Sequence, residues 1–312
     1  MEKPPILLLA PLPDFLLAPL LAANVCHDYF RAADKEALLA EVGPQIRGIA
    51  MSGGSVAPVA LLERLPKLEI ISVFGVGYDG APVDWCREHG VRVTNTPDVL
   101  TDDVADTAAA LVLMTSRNLV MANCFLHAGS WTRGPFPLAH ALRGKLAGIV
   151  GLGRIGKAIA QRLETHGMRI AYHGRSRQEV PWAFFESLAE MAREADFLVV
   201  ACPGGAATKH LIDAKILEAL GADGTLINIA RGSVVDEAAL VAALQAGVIR
   251  GAGLDVFEKE PQVPAALMQC ENAVLLPHIG SATHETRRAM AGLVVDNLAA
   301  HFAGRPLLTP VC

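Results

Sequence analysis

The stretch Lys145–Arg177, KLAGIVGLGRIGKAIAQRLETHGMRIAYHGRSR, decides the fold. It reads as strand, tight turn, helix, strand. Leu146–Val150 is a short apolar run that suits a buried parallel strand. Gly151-Leu152-Gly153-Arg154-Ile155-Gly156 follows at once, and Ile155, Ile159 and Leu163 then recur on one helical face between Arg154 and His166. Met168–His173 is a second apolar strand. Glycines so placed form the phosphate-binding turn of a dinucleotide fold. Gly151 allows the tight turn, Gly153 lets the backbone approach a pyrophosphate, and Gly156 lets helix and strand pack closely. The helix N-terminus would aim N–H groups and partial positive charge at the phosphates.

The end of the second strand bears on which nucleotide binds. An NAD site usually carries an acid about twenty residues after the glycines, bonded to the ribose. Here the chain reads His173-Gly174-Arg175-Ser176-Arg177, with no acid. Two guanidiniums and a hydroxyl suit a 2′-phosphate, because Arg grips phosphate through a planar fork. The expected cofactor is therefore NADP(H), with NAD(H) as the alternative; the competing reading of the loop is a solvated basic turn.

Bulk properties frame this reading. At 312 residues the chain has room for two domains, each with its own core. The apolar share of 52% against a charged share of 19% suits buried parallel sheets and excludes a disordered chain. A net charge of −5 without a basic block argues against nucleic acid as a partner. The six cysteines (Cys26, Cys86, Cys124, Cys202, Cys270, Cys312) are scattered, with no metal-binding or disulfide spacing. They read as reduced thiols of a cytoplasmic protein. Residues 4–25 resemble a signal peptide in hydropathy, but Pro11, Pro13, Asp14 and Pro19 break the run. A first buried strand at Ile6–Ala10 is expected instead, and no membrane span.

The first hundred residues alternate strand and helix. Strands are expected at Ile6–Ala10, Ile46–Met51, Leu68–Phe74 and Val91–Asn95, with helices between. That alternation predicts a doubly wound parallel sheet of α/β class. Ligands of such sheets bind beyond the carboxyl ends of strands. Ser52-Gly53-Gly54 and Gly75-Val76-Gly77 are thus candidate substrate walls with backbone N–H groups for an anion; each also reads as an ordinary turn. Thr96-Pro97-Asp98 reads as a hinge. A long apolar helix then runs from Thr101, its expected cap, to Asn118. Leu119–Gly144 reads as a looser arm, whose aromatics Trp131 and Phe136 suit a surface covered by a partner or, equally, local packing on their own domain.

Later strands are expected at Phe197–Ala201, Thr225–Ile229, Gly253–Val256 and Ala273–Leu276, and a closing helix at Thr283–Phe302. Three polar residues stand beside these ends: Arg231 in INIARGSVVDE, Glu260 in LDVFEKEP and His278 in VLLPHIGSAT. Together they suit reduction of a 2-keto acid. As hydride reaches the keto carbon, negative charge grows on its oxygen, and a protonated imidazole can deliver a proton there. A carboxylate beside that imidazole favours its charged form. An Arg can clamp the substrate carboxylate and polarise the keto oxygen. No nucleophile and no metal is called for. Taken singly, His278 also reads as a structural histidine, Arg231 as a turn residue and Glu260 as a solvated loop acid.

Several motifs together resemble the D-isomer-specific 2-hydroxyacid dehydrogenase family over nearly the whole chain: FGVGYD at 74–79, VLTDDVAD at 99–106, GLGRIGKAIA at 151–160, NIARGSVVDE at 228–237, LDVFEKEP at 254–261 and PHIGSAT at 277–283. The GRSR loop is similar to that of the glyoxylate/hydroxypyruvate reductases within it. The resemblance implies that Arg231 binds substrate, that His278 is the acid/base and that Glu260 pairs with it. It implies that Val76 and Gly77 present N–H groups to the substrate carboxylate, with Ser52 and Gly53 also on the substrate side. Leu152, Gly153, Arg154 and Ile155 would cover the pyrophosphate, Arg175, Ser176 and Arg177 the 2′-phosphate, and Asp255 the nicotinamide side. Thr101, Gly151, Gly156, Cys202, Pro203, Thr208, Ile229, Ala230 and Gly280 complete the expected cofactor set.

The resemblance further implies two Rossmann-like or flavodoxin-like doubly wound domains with a cleft between them. The first is discontinuous, 1–98 plus 283–312, and holds substrate; the second, 99–282, holds the dinucleotide. It implies a homodimer through an arm at 118–142, with Trp131 reaching the partner's site. The expected activity is NADPH-preferring reduction of glyoxylate and hydroxypyruvate to D-2-hydroxy acids. The alternatives are an aryl-pyruvate reductase on the same fold and, from another class, a dinucleotide-sensing corepressor-like binding protein.

Overall fold

The strands fall into two parallel sheets, one in each of two units of the chain. The structure, a computed structural model, describes residues 3–312. The first unit comprises the residues up to Leu100 together with Thr283–Cys312, and the second is Thr101–Ala282.

In the first unit the strands are β1 (Pro5–Leu8), β2 (Val25–Asp28), β3 (Gly48–Ser52), β4 (Ile70–Phe74) and β5 (Arg92–Thr94). They lie in the order β2-β1-β3-β4-β5, all pairs parallel. This is the flavodoxin-like order, whose switch point falls between β1 and β3. Every residue of β4 is buried, as a parallel strand covered on both faces requires. The C-terminal helix His284–Phe302 packs on β4 and on the first helix, Asp14–Ala23. Thr283 caps the C-terminal helix by accepting from the Thr286 N–H. Strand β2 escapes the sequence reading: Val-Cys-His-Asp has no apolar run, and it is a half-exposed edge.

In the second unit the strands are β6 (Leu146–Val150), β7 (Arg169–His173), β8 (Ala183–Phe185), β9 (Phe197–Val200), β10 (Thr225–Asn228), β11 (Gly251–Leu254) and β12 (Ala273–Leu275). Their order is β12-β11-β10-β9-β6-β7-β8, again wholly parallel. The chain leaves β6 first toward β7 and then crosses to β9. The crevice of a dinucleotide fold therefore opens beyond the ends of β6 and β9. One core side chain here is Tyr172 of β7, which is fully buried.

Three expectations need correction. Strand β11 begins at Gly251, not Gly253: the glycine left outside the expected strand serves close packing, a Cβ at Gly251 standing 2.6 Å from the Asn272 carbonyl oxygen. Thr101 is the first residue of the long helix Thr101–Arg117, not the residue capping it. The arm is not loose throughout: a second helix, Leu119–His127, follows Asn118, which adopts the left-handed conformation at φ 51°. The two helices meet at a 61° bend. Among the described residues no single helix is long and apolar enough to cross a membrane.

Candidate active site

The site begins with the end of β10. Asn228 is fully buried, and its side chain bonds both ways around the next turn. Its Oδ1 accepts from the Ala230 N–H at 3.0 Å and its Nδ2 donates to the Arg231 carbonyl at 3.0 Å. Arg231 is thus presented on a braced turn, half-buried, with its guanidinium donating to the Ala230 carbonyl at 2.7 Å. Gly232 lets this turn lie directly on the segment after β11. A Cβ there would stand 1.9 Å from the Phe257 carbonyl carbon, so no other residue fits without a shift.

That segment carries Glu260. Its Oε1 accepts from the Phe257 N–H at 2.9 Å, and its Oε2 lies 2.6 Å from Nδ1 of His278. The imidazole comes from the turn after β12, where His278 is left-handed at φ 54°. Such a conformation costs a non-glycine residue roughly 1 kcal/mol or more, and something must hold it. Asp255 does so. It is buried at the end of β11, its Oδ1 accepting from the Ile279 N–H at 2.7 Å and its Oδ2 from the Gly280 N–H at 2.8 Å.

The two acids differ electrostatically. Burial pushes the Asp255 carboxyl above its ordinary value, and its two N–H bonds only partly oppose that. Burial acts on Glu260 in the same direction. There it is outweighed by the bonds from His278 and the Phe257 N–H and by the charges of His278 and Arg231, so its pKa falls below the ordinary value. Glu260 is therefore an anion at neutral pH. It engages Nδ1 of His278 and leaves Nε2 to face a reactant. That arrangement can hold a proton on Nε2 and release it to a developing alkoxide.

The glycine turn fits a dinucleotide. A Cβ at Gly151, whose φ is +95°, would lie 2.6 Å from Cα of Cys202, so the ends of β6 and β9 touch through it. A Cβ at Gly156 would meet the Gly151 carbonyl at 2.2 Å. Gly153, by contrast, has nothing within 4 Å of its Cβ position, and it precedes the helix Arg154–Thr165 with no side-chain cap. Open space in front of an uncapped helix N-terminus is what a pyrophosphate needs. Leu152 is buried in this turn, and Arg175, Ser176 and Arg177 are exposed beyond β7. After β9, Thr208 donates to the Pro203 carbonyl at 2.7 Å, shaping the facing loop. Ile229 and Ala230 are buried beside the Arg231 turn, and Thr101 is half-buried. Among the described residues no group of His, Cys, Asp and Glu could hold a metal ion.

In the first unit, the Ser52–Gly54 loop lies against the Gly75–Gly77 turn. The Gly53 N–H donates to Phe74 at 3.1 Å, and a Cβ at Gly53 would stand 3.0 Å from the Gly77 carbonyl. Asn95 fixes Val76 by donating to its carbonyl at 2.8 Å, and Ser52 bonds Ser55 at 2.7 Å. Trp131 lies on the short turn Ser130–Arg133 of the arm, 68% exposed. Sequence reasoning missed Asn228. Its signal was a polar residue closing the apolar strand TLIN, directly before Ala-Arg-Gly.

A family model described as the NAD-binding domain of D-isomer-specific 2-hydroxyacid dehydrogenases matches residues 109–280. The chain belongs to this family. It is accordingly an NAD(P)-dependent oxidoreductase of the D-2-hydroxyacid dehydrogenases. It is 46% identical over 312 residues to a hydroxyphenylpyruvate reductase of Plectranthus scutellarioides, and 45% identical over 312 residues to a glyoxylate/hydroxypyruvate reductase of Arabidopsis thaliana. Each alignment covers 100% of both chains. Among solved structures it is similar to the NADPH-dependent glyoxylate/hydroxypyruvate reductase of Sinorhizobium meliloti in complex with NADP and malonate. That match has 49% identity and a TM-score of 0.94, covering 100% of this chain and 97% of the other.

Proposed function

We propose that this dehydrogenase reduces small 2-keto acids, glyoxylate and hydroxypyruvate, to D-2-hydroxy acids, with NADPH preferred over NADH. The observation that carries the reading is the 2.6 Å contact between Glu260 and His278, beside a braced Arg231. The reduced nicotinamide, when bound, supplies the hydride that reaches the keto carbon. Arg231 clamps the substrate carboxylate and draws charge toward the keto oxygen. His278 gives that oxygen a proton from Nε2 as charge develops. Glu260 keeps the ring oriented through its contact with Nδ1. Asp255 holds the backbone on which the ring sits. For the first unit we assign the N–H groups around Val76 and Gly77 to an anionic group, with Ser52 and Gly53 beside them.

The cofactor preference rests on Arg175, Ser176 and Arg177 at the end of β7, with no acid in the ribose position. The similar Sinorhizobium meliloti enzyme, NADPH-dependent and solved with NADP, supports the same choice. We further propose a homodimer. The arm helix Leu119–His127 has no buried residue, and Leu119, Val120, Met121 and Leu126 are exposed along it. A second copy of the chain would cover that apolar surface. The six cysteines are all free, which suits a reducing compartment, and we place the enzyme in the cytoplasm.

The relative from Plectranthus scutellarioides keeps a second substrate in view, hydroxyphenylpyruvate. A panel of glyoxylate, hydroxypyruvate and hydroxyphenylpyruvate, compared by kcat/KM with NADPH, tests the choice. The small acids should lead; an aryl-pyruvate in front would replace them.

A further inference from the structure

The loop between β7 and β8 is pinned at both ends, and its second pin reaches into the glycine turn. At the first end, the His173 carbonyl accepts from the Gly151 N–H at 2.9 Å, and His173 Nδ1 bonds the Phe185 carbonyl of β8 at 3.0 Å. At the second end stands Gln178. Its N–H donates to the hydroxyl of buried Tyr172 at 2.7 Å, and that hydroxyl donates back to the Gln178 carbonyl at 3.3 Å. The Gln178 side chain then donates from Nε2 to the Leu152 carbonyl at 2.9 Å, between Gly151 and Gly153. Only Gly174, Arg175, Ser176 and Arg177 lie between these fixed points, and the last three are exposed.

A bound nucleotide with a ribose 2′-phosphate presents two anionic centres at a set separation: the pyrophosphate and the 2′-phosphate. A guanidinium fork discriminates only if it is held at that separation when the ligand arrives; otherwise ordering the loop offsets part of the gain. Tyr172 could have been phenylalanine if burial were its only role. Its hydroxyl is used twice on one residue, and that residue's amide is used on the glycine turn.

We propose that Gln178, braced by the Tyr172 hydroxyl, is a positioning residue for cofactor choice: it fixes the Arg175–Arg177 loop relative to the pyrophosphate turn and so sets the preference for a 2′-phosphorylated nucleotide. The inference rests on the NADPH reading of that loop. Gln178 does its work through Leu152 and the two arginines, without touching the phosphate.

The test is calorimetric titration of the intact enzyme with adenosine 2′,5′-bisphosphate and with adenosine 5′-monophosphate. In Gln178→Ala, affinity for the bisphosphate should fall about 3- to 10-fold, the worth of one net hydrogen bond, while affinity for the monophosphate changes less than about 2-fold. Tyr172→Phe should reproduce that selective loss, and Gln178→Asn should restore part of it. Unchanged bisphosphate binding in a folded Gln178→Ala protein overturns the inference. Equal losses for both ligands overturn it too, since they would mean that the bond only shapes the glycine turn. The double variant Arg175→Ala/Arg177→Ala separates the premise from the pin. If it abolishes the bisphosphate advantage while Gln178→Ala does not, the pin fails and the NADPH reading stands; if it leaves the advantage intact, both fall.

Discussion

Replacing Glu260 by Gln removes one charge and little volume from the His278 pair, and its effect can be worked from the geometry. With Nδ1 and Oε2 2.6 Å apart, the charge centres lie about 4 Å apart, and at an effective dielectric of about 20 their attraction is about 4 kcal/mol. The side chains are 44% and 33% exposed, so solvent screens much of that. Pairs so exposed retain about 1 kcal/mol, and the extra bond from Phe257 argues for slightly more here. A change of about 1.4 kcal/mol in the barrier is tenfold in rate. Reduction draws its proton from the imidazole, so kcat/KM reads how well Glu260 supports that ring. In Glu260→Gln kcat/KM should fall by about tenfold, with NADPH binding little changed. The folded-state pKa of Glu260 is depressed, so its stabilisation is present above the unfolded carboxylate value and lost as pH falls through the folded one. The stability gap between wild type and variant should therefore close in acid. Steady-state kinetics across pH, with thermal melting in the same buffers, read both effects. A Glu260→Gln enzyme within about twofold of the wild-type kcat/KM would refute the pairing as the support of the proton donor.

Asn228→Ala removes two bonds to the Arg231 turn and leaves the buried Ala230 N–H without its partner. It should cost about 2–3 kcal/mol of stability in denaturant unfolding and raise KM for the keto acid more than KM for NADPH; equal rises would detach Asn228 from the clamp. Charged replacements on the arm, Met121→Glu with Leu126→Glu, should convert a dimer to monomers in sedimentation velocity. A wild-type monomer at the same concentration would remove the proposed covering of that helix.

Legibility in the sequence followed how local each feature's cause is. Strand β6 lies where its apolar run put it, and the helix after the glycines ends one residue before the expected His166, because both patterns are written in adjacent residues. The edge strands β2 and β8 left no trace, since each is short and half-exposed and takes its strand conformation from one neighbour. Gly251 fell outside the expected strand because nothing nearby in sequence announces the Asn272 carbonyl, which lies 2.6 Å from its Cβ position. The same distance in sequence hid Gln178. Arg231, Glu260 and His278 were visible as polar residues at strand ends. Asn228 bonds only two and three residues ahead, so its cue was local; Gln178 lies 26 residues from the carbonyl it bonds, a partner that only folding supplies.

In the proposed reaction His278 protonates a keto acid while NADPH reduces it. Its most direct test is to follow NADPH consumption with glyoxylate for the wild type and for His278→Ala, with NADPH binding measured separately on both. NADPH consumption should match glycolate formed in the wild type, turnover should be lower by about 10²–10⁴-fold in the variant, and NADPH binding should be little changed. Near-normal turnover by His278→Ala, or a wild type that binds NADPH and leaves glyoxylate untouched, would contradict it.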